Sequence, residues 1–324
     1  MLTLDGKVAI VTGAGQGLGR AHATTLAREG AAVVVNDVNQ TTAHAVAAEI
    51  GAAGGRVLVN TDSVDDWAAM EALVAETVRT FGDLHVVVNN GGFLRDRMSF
   101  SMSEEDWDAV VAVHLKGHFC VAHHAGAWWR AQSKQGVEAP RRIINTTSEA
   151  GLFGSAGQAN YAPAKGAIVS LTWTLARELG RYGVTVNAIA PRARTPMTEG
   201  NMSFATGPVG EGFDKYNPTN VSEVVVWLAS DRTSDITGQV FVVVGGDLHL
   251  VRPFEIVSSA HRPTDGFSPP APPGAVRWSG RRRASCGRRP ARRASTGRRG
   301  GPSSRSRTAG RGGDRRRPQR TPAR

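Results

Sequence analysis

The chain has 324 residues and a formal net charge of +11, but the charge is unevenly spread. Residues 271–324 carry 18 arginines, one acid (Asp314) and no lysine, whereas residues 1–270 carry 21 basic and 27 acidic side chains, so the body is an ordinary acidic domain whose ligand the overall basicity does not describe. Two cysteines, Cys120 and Cys286, exclude a disulfide framework, no His, Cys or carboxylate cluster has metal-ligand spacing, and no apolar run of about 18 residues or cationic leader marks a span or secretory signal, which together point to a reducing cytoplasm.

Along the body, short runs rich in Val, Ile and Ala alternate with longer amphipathic segments, the pattern of a parallel sheet covered by helices on both faces. Strands are predicted at 7–12, 32–37, 56–60, 85–90, 142–147, 185–189 and 240–244, and helices at 17–29, 41–53, 64–81, 103–132, 158–181 and 221–229. Right-handed crossovers make this an α/β fold, a doubly wound parallel seven-stranded sheet of Rossmann type, with its ligand crevice at the carboxyl ends of the strands. The expected domain is 1–260. The segment 261–324, rich in Arg, Pro and Gly and nearly devoid of large apolar residues, is expected to be a disordered tail. Electrostatic binding of nucleic acid is one reading of that tail; an incidental or frame-shifted extension is favoured over it, because aromatics and lysines do not interleave the arginines.

The first strand runs into Thr12-Gly13-Ala14-Gly15-Gln16-Gly17-Leu18-Gly19, where backbone amides and a helix N-terminus can face a pyrophosphate. The spacing is TGxxxGxG, with Gly13, Gly17 and Gly19 as its glycines, rather than GxGxxG. Asp37 ends the second strand about 20 residues later, placed to accept from an adenosine ribose and to repel a 2′-phosphate, which points to NAD rather than NADP. Arg20 is the one residue that argues for NADP. Asp62 and Ser63 after the third strand face the adenine edge. Asn90 and Gly91 follow the fourth strand, where backbone must pass close to a nucleotide, and Asn187, Pro191 and Thr195 sit in or after the sixth, near a nicotinamide carboxamide.

Tyr161 and Lys165 are four residues apart, on one helical face, where an ammonium can lower the pKa of a phenol. With Ser148 upstream, the set suits acid or base chemistry on an alcohol or carbonyl.

These motifs, in this order over residues 3–250, resemble the short-chain dehydrogenase/reductase family. The resemblance implies that Tyr161 moves the hydroxyl proton, Ser148 holds the substrate oxygen, and Lys165 binds the nicotinamide ribose and depresses the tyrosine. Three residues depart from the family pattern. His114 replaces an asparagine of the proton relay and is read as binding the relay water, Gly91 stands where alanine is usual, and Arg192 stands where glycine is usual. Arg192 would either damage turnover or contact an anionic substrate. Segments 90–98, Trp107, 113–117, with its histidine, and 157–161 are similar to the (3R)-hydroxyacyl-CoA dehydrogenase domain of peroxisomal multifunctional enzymes. That implies a 3-hydroxyacyl-CoA substrate, with a hydroxysteroid as alternative and a non-catalytic dinucleotide-binding or nucleic-acid-associated protein as the further one. Met197, Met202, Phe204 and Phe213 of the 195–220 loop are candidate substrate contacts. The family also implies pairing of the helices around 122–129 and 167–175 into a homodimer or homotetramer.

Overall fold

The computed structural model describes residues 4–198, 212–252 and 254–256. These belong, apart from Ile256, to the unit Met1–Glu255, and the expected tail lies outside the described residues, as do Met202 and Phe204.

Among the described residues eight strands form one sheet: β1 (Val8–Thr12), β2 (Ala32–Asn36), β3 (Val57–Asn60), β4 (Val86–Asn89), β5 (Arg141–Thr146), β6 (Val184–Arg192), β7 (Val240–Val244) and β8 (Asp247–Val251). Their order is β3-β2-β1-β4-β5-β6-β7-β8, parallel from β3 to β7. The eighth strand corrects the expected count of seven. It is antiparallel to β7, turned back at Gly245 (φ 57°), and its apolar residues Leu248 and Leu250 are exposed, so it carries no buried run that would mark it in the sequence.

Among the described residues eight α-helices accompany the sheet: α1 (Gly17–Arg28), α2 (Gln40–Ala52), α3 (Trp67–Phe81), α4 (Glu104–Val111), α5 (Gly117–Lys134), α6 (Glu149–Phe153), α7 (Tyr161–Leu179) and α8 (Pro218–Ala229). The sheet's period of two sorts its side chains between the layers. Ala9, Val11, Val33 and Val35 pack with α1, α2 and α8, while Ile10, Val34, Val87, Ile143 and Val186 pack with α3, α5 and α7. Both faces are covered, which is why the strands read as unbroken apolar runs. The long helix expected over 103–132 is divided into α4, a π-helical turn at Ala112–Lys116, and α5. The short α6 escapes a periodicity search because five residues hold little more than one turn.

Consecutive strands run outward in opposite directions from the β1/β4 pair. This is the topological switch point, and the loops after β1 and β4 line the crevice there.

Between α1 and α8, His22 is fully buried, with Nδ1 2.8 Å from Ser222 Oγ and no partner on Nε2 among the described residues. Burial lowers its pKa to about 3. A histidine that stays neutral when folded but charges when unfolded gives stability that is complete above the unfolded value near 6.5 and lost as the pH falls below it, by about 1.4 kcal/mol per pH unit. Urea midpoints are therefore expected to drop between pH 7 and pH 5, and His22→Gln, whose amide can still meet Ser222, should flatten that dependence. An unchanged slope in the variant would exclude His22 as a source.

Candidate active site

The glycine-rich loop between β1 and α1 is shaped by the chain around it. Gly13 and Gly17 have positive φ (62° and 53°), a Cβ on Gly13 would come 2.7 Å from Gly91 Cα, and one on Gly19 would overlap the Gly13 carbonyl oxygen. Thr12 Oγ1 accepts the amides of Asn90 and Gly91 at 2.9 and 3.0 Å, and Asn90 Nδ2 donates to the Thr12 and Gly13 carbonyls. The loops after β1 and β4 are thus one unit. Gln16, at the N-cap of α1, makes no side-chain cap, so the first amides of the helix keep their donor capacity toward the cleft.

That cleft, of about 470 Å³, is lined by Gly13, Gln16, Gly17, Leu18 and Gly19, by Asp37, by Asp62 and Ser63, and by Asn90, Gly91 and Thr195. Asp37 accepts the Gly15 amide through Oδ2 (2.8 Å) and the Asn39 amide through Oδ1 (2.9 Å), which fixes the carboxylate at the cleft edge. Asp62 is held by Asn60 Nδ2 at 2.7 Å. A bare helix N-terminus, a glycine cradle and an acceptor-only carboxylate on one wall fit a dinucleotide.

A second cavity of about 410 Å³ shares Leu18, Asn90, Gly92, Thr195 and Met197 with the first. It gathers Ser148, Tyr161, Lys165, His114, Pro191 and Arg192. Tyr161 opens α7, its amide donating to Asn160 Oδ1 (2.7 Å), while Asn160 Nδ2 reaches the Arg95 and Asp106 carbonyls. Ser148 caps α6, its Oγ accepting the Ala150 amide at 3.2 Å.

Burial dominates the electrostatics of this cavity. Tyr161 lies above the usual phenol range, because burial outweighs its hydrogen bond to Ser148 and nearby Asp96 pushes the same way. Lys165 lines the same cavity. Its Nζ lies 5.7 Å from the Tyr161 ring centroid and donates to the Thr146 carbonyl at 2.6 Å, and burial brings its own pKa down to about 7.

His114, in the π-helical turn, is buried, with its ring 5.1 Å from that of Tyr161 in an edge-on arrangement. Nε2 meets the backbone of Phe93, while Nδ1 has no partner among the described residues. Burial, aided by the Lys165 charge, lowers its pKa to about 3, so the ring is neutral. Gly92 admits it, since a Cβ there would overlap the imidazole.

Two further residues take partners within the protein. Asn187 does not reach the cleft: it donates to the Ile236 carbonyl and accepts the Gln239 amide, joining β6 to the loop before β7. Arg192 forms a bidentate ion pair with Glu149 (2.6 and 2.9 Å) within the cavity wall. Glu149 is signalled in the sequence only by adjacency to Ser148, and Thr12, the first residue of the glycine motif, gives no local sign of its tie to Asn90 and Gly91.

A dinucleotide cleft opening onto a Ser–Tyr–Lys cavity defines an oxidoreductase acting on CH–OH groups. The family model for short chain dehydrogenases matches residues 7–204. The hydroxyacyl-CoA dehydrogenase ChsB1 of Mycobacterium tuberculosis is 48% identical over 257 residues, covering 77% of this chain and 81% of that protein. Peroxisomal multifunctional enzyme type 2 of Mus musculus is 40% identical over 260 residues, covering 78% of this chain and 33% of that longer protein. The crystal structure of a short chain dehydrogenase from Mycobacterium avium superimposes with a TM-score of 0.75 at 48% identity, covering 82% of this chain and 92% of that one. The chain belongs to the short-chain dehydrogenase family, whose members use a nicotinamide dinucleotide. Among the described residues no helix is long and apolar enough to cross a membrane, and no group of His, Cys, Asp and Glu is placed to hold a metal.

Gly19→Ala is expected to open the glycine loop and weaken binding of reduced nicotinamide dinucleotide at least about tenfold by fluorescence titration. Gly51→Ala, on α2 with nothing within 4 Å of its Cβ, should leave that affinity intact.

Proposed function

We propose that the protein is an NAD-dependent dehydrogenase interconverting a 3-hydroxyacyl-CoA and its 3-ketoacyl-CoA. The observation carrying this reading is the single cavity that unites Ser148, Tyr161, Lys165 and His114 beside the dinucleotide cleft. Its remaining wall includes Leu18, Leu94, Ala150, Phe153 and Met197, and its Glu149 and Arg192 charges face each other. Such a lining suits a neutral secondary alcohol on an acyl chain better than a free anion. The likeness to the hydroxyacyl-CoA dehydrogenase ChsB1 supports the thioester class.

In the oxidation direction Ser148 holds the substrate oxygen and Tyr161 takes its proton. When bound, the oxidised nicotinamide supplies the hydride acceptor and a positive charge that favours the phenolate. Neutral His114, with Nδ1 orphaned beside the Tyr161 ring, suits a water-relaying role. Lys165, held by the Thr146 carbonyl, is assigned to the nicotinamide ribose.

NAD is favoured over NADP by Asp37, fixed at the edge of the dinucleotide cleft. Arg20 does not oppose this, since it is paired with Glu49 at 2.9 Å and opens on a different cavity.

The catalytic domain is proposed to end near residue 260, with the arginine-rich tail outside its chemistry. A homodimer or homotetramer remains the proposed assembly, to be decided by sedimentation equilibrium. The monomer's own core absorbs Ala122, Ala125, Trp129 and Leu175, and partly exposed Trp67 and Phe119 are what α3 and α5 leave for a partner.

With NAD, (3R)-hydroxyacyl-CoA should be oxidised equally by the full chain and by a chain ending at Ser259. Rates should rise with pH, as deprotonation of the raised Tyr161 requires. Tyr161→Phe should lose about 1,000-fold in kcat while still binding NADH. Turnover of hydroxysteroids but not thioesters would overturn the substrate class, and retained turnover in Tyr161→Phe would overturn the proton-transfer role. Asp37→Ser is expected to raise kcat/KM with NADP at least about tenfold and lower it with NAD, because an acid that repels a 2′-phosphate is gone.

A further inference from the structure

We infer that the Arg192–Glu149 ion pair is a clamp that positions Ser148 for catalysis, so that the arginine standing in place of the family's usual glycine is a positioning residue. This inference rests on the assignment of Ser148 to the substrate oxygen.

Glu149 immediately follows Ser148 and is the first residue of α6, while Arg192 immediately follows Pro191 at the end of β6. The pair therefore links the two segments that contribute Ser148, Glu149 and Ala150 on one side of the cavity and Pro191, Arg192 and Ala193 on the other. Arg192 Nε donates to Glu149 Oε2 at 2.9 Å and an Nη donates to Oε1 at 2.6 Å. A fork-to-fork contact sets orientation as well as distance, which a single-point lysine contact does not.

The serine turn is constrained on its other sides too. Thr147 Oγ1 donates to the Lys165 carbonyl at 2.6 Å, and the Thr147 amide donates to the Ile189 carbonyl at 2.8 Å. Gly151 lies so close to α7 that a Cβ would come 2.6 Å from the Gly166 amide nitrogen. These contacts hold the turn against α7 and β6 from behind. On the cavity side, α6 is only five residues long and one Oγ lone pair of Ser148 accepts the Ala150 amide, so any rotation of this turn moves the hydroxyl. The ion pair opposes that rotation from the cavity side. Being partly exposed, with side-chain accessibilities of 39% and 31%, it adds direction to the turn more than stability to the fold.

The test compares Glu149→Gln, Arg192→Met, Arg192→Lys, the double variant Glu149→Gln/Arg192→Met and the charge exchange Glu149→Arg/Arg192→Glu, in the full chain. NADH affinity, thermal midpoint, and kcat and KM for (3R)-hydroxyacyl-CoA are measured for each. The clamp predicts that each single neutral variant loses about ten- to hundredfold in kcat, with NADH affinity and thermal midpoint near wild type. The double variant should be no worse than either single one, because both remove the same interaction. Arg192→Lys should fall between wild type and Arg192→Met, and the exchanged pair should recover part of the loss. Wild-type kcat in the single variants, fully additive losses, or losses that track the thermal midpoint would each overturn the inference. Ser148→Ala run alongside separates the two levels: active Ser148→Ala refutes the role of the serine, whereas inactive Ser148→Ala with active clamp variants refutes the clamp alone.

Discussion

The site depends on the joint between β1 and β4. Thr12 Oγ1 takes the amides of Asn90 and Gly91, Asn90 returns two hydrogen bonds to the β1 loop, and the loops pack so tightly that Gly13 tolerates no Cβ against Gly91. These bonds occur where the order of strands reverses, so the backbone that must approach a pyrophosphate is held from both sides. The glycines of this loop thus answer first to the packing of the protein itself. Openness to a ligand follows from the same absence of side chains.

From that joint, two cavities share a wall. The dinucleotide cleft holds its polarity at fixed points, with Asp37 on the Gly15 and Asn39 amides and Asp62 on Asn60. The catalytic cavity is governed by desolvation. Burial raises Tyr161, lowers Lys165 to about 7 and keeps His114 neutral, so bringing these groups together removes much of the charge their residue types suggest. The hydrogen bond from Ser148 is the element of this set that moves Tyr161 in the useful direction. Geometry at Ser148 therefore matters twice, for the substrate oxygen and for the phenol.

Helix α7 illustrates how far local spacing reaches. A spacing of four positions from Tyr161 to Lys165 suffices to place both on the cavity, and they do line it together. Spacing could not show that Lys165 donates to the Thr146 carbonyl across the β5 end, or that Asn160 fastens the helix start to the segment before α4. Those bonds join residues 19 and 65 positions apart. Likewise Asn187, a polar residue in an apolar strand, reads as a ligand contact but serves a buried tie to Gln239 and Ile236.

The order of strands and helices, the glycine loop, Asp37 at a strand end, and the Tyr161–Lys165 face were determined by the sequence itself, because each is a pattern within about 20 neighbouring residues where backbone periodicity decides direction. The tertiary structure alone decided the rest. It added β8, whose pairing depends on β7 rather than on burial, and it split the helix at the π-helical turn that carries His114. It set the sense of the Tyr161 shift, which is a matter of how much water is excluded. It also gave Arg192 its partner, since no local rule relates the end of β6 to a carboxylate 43 residues earlier on α6.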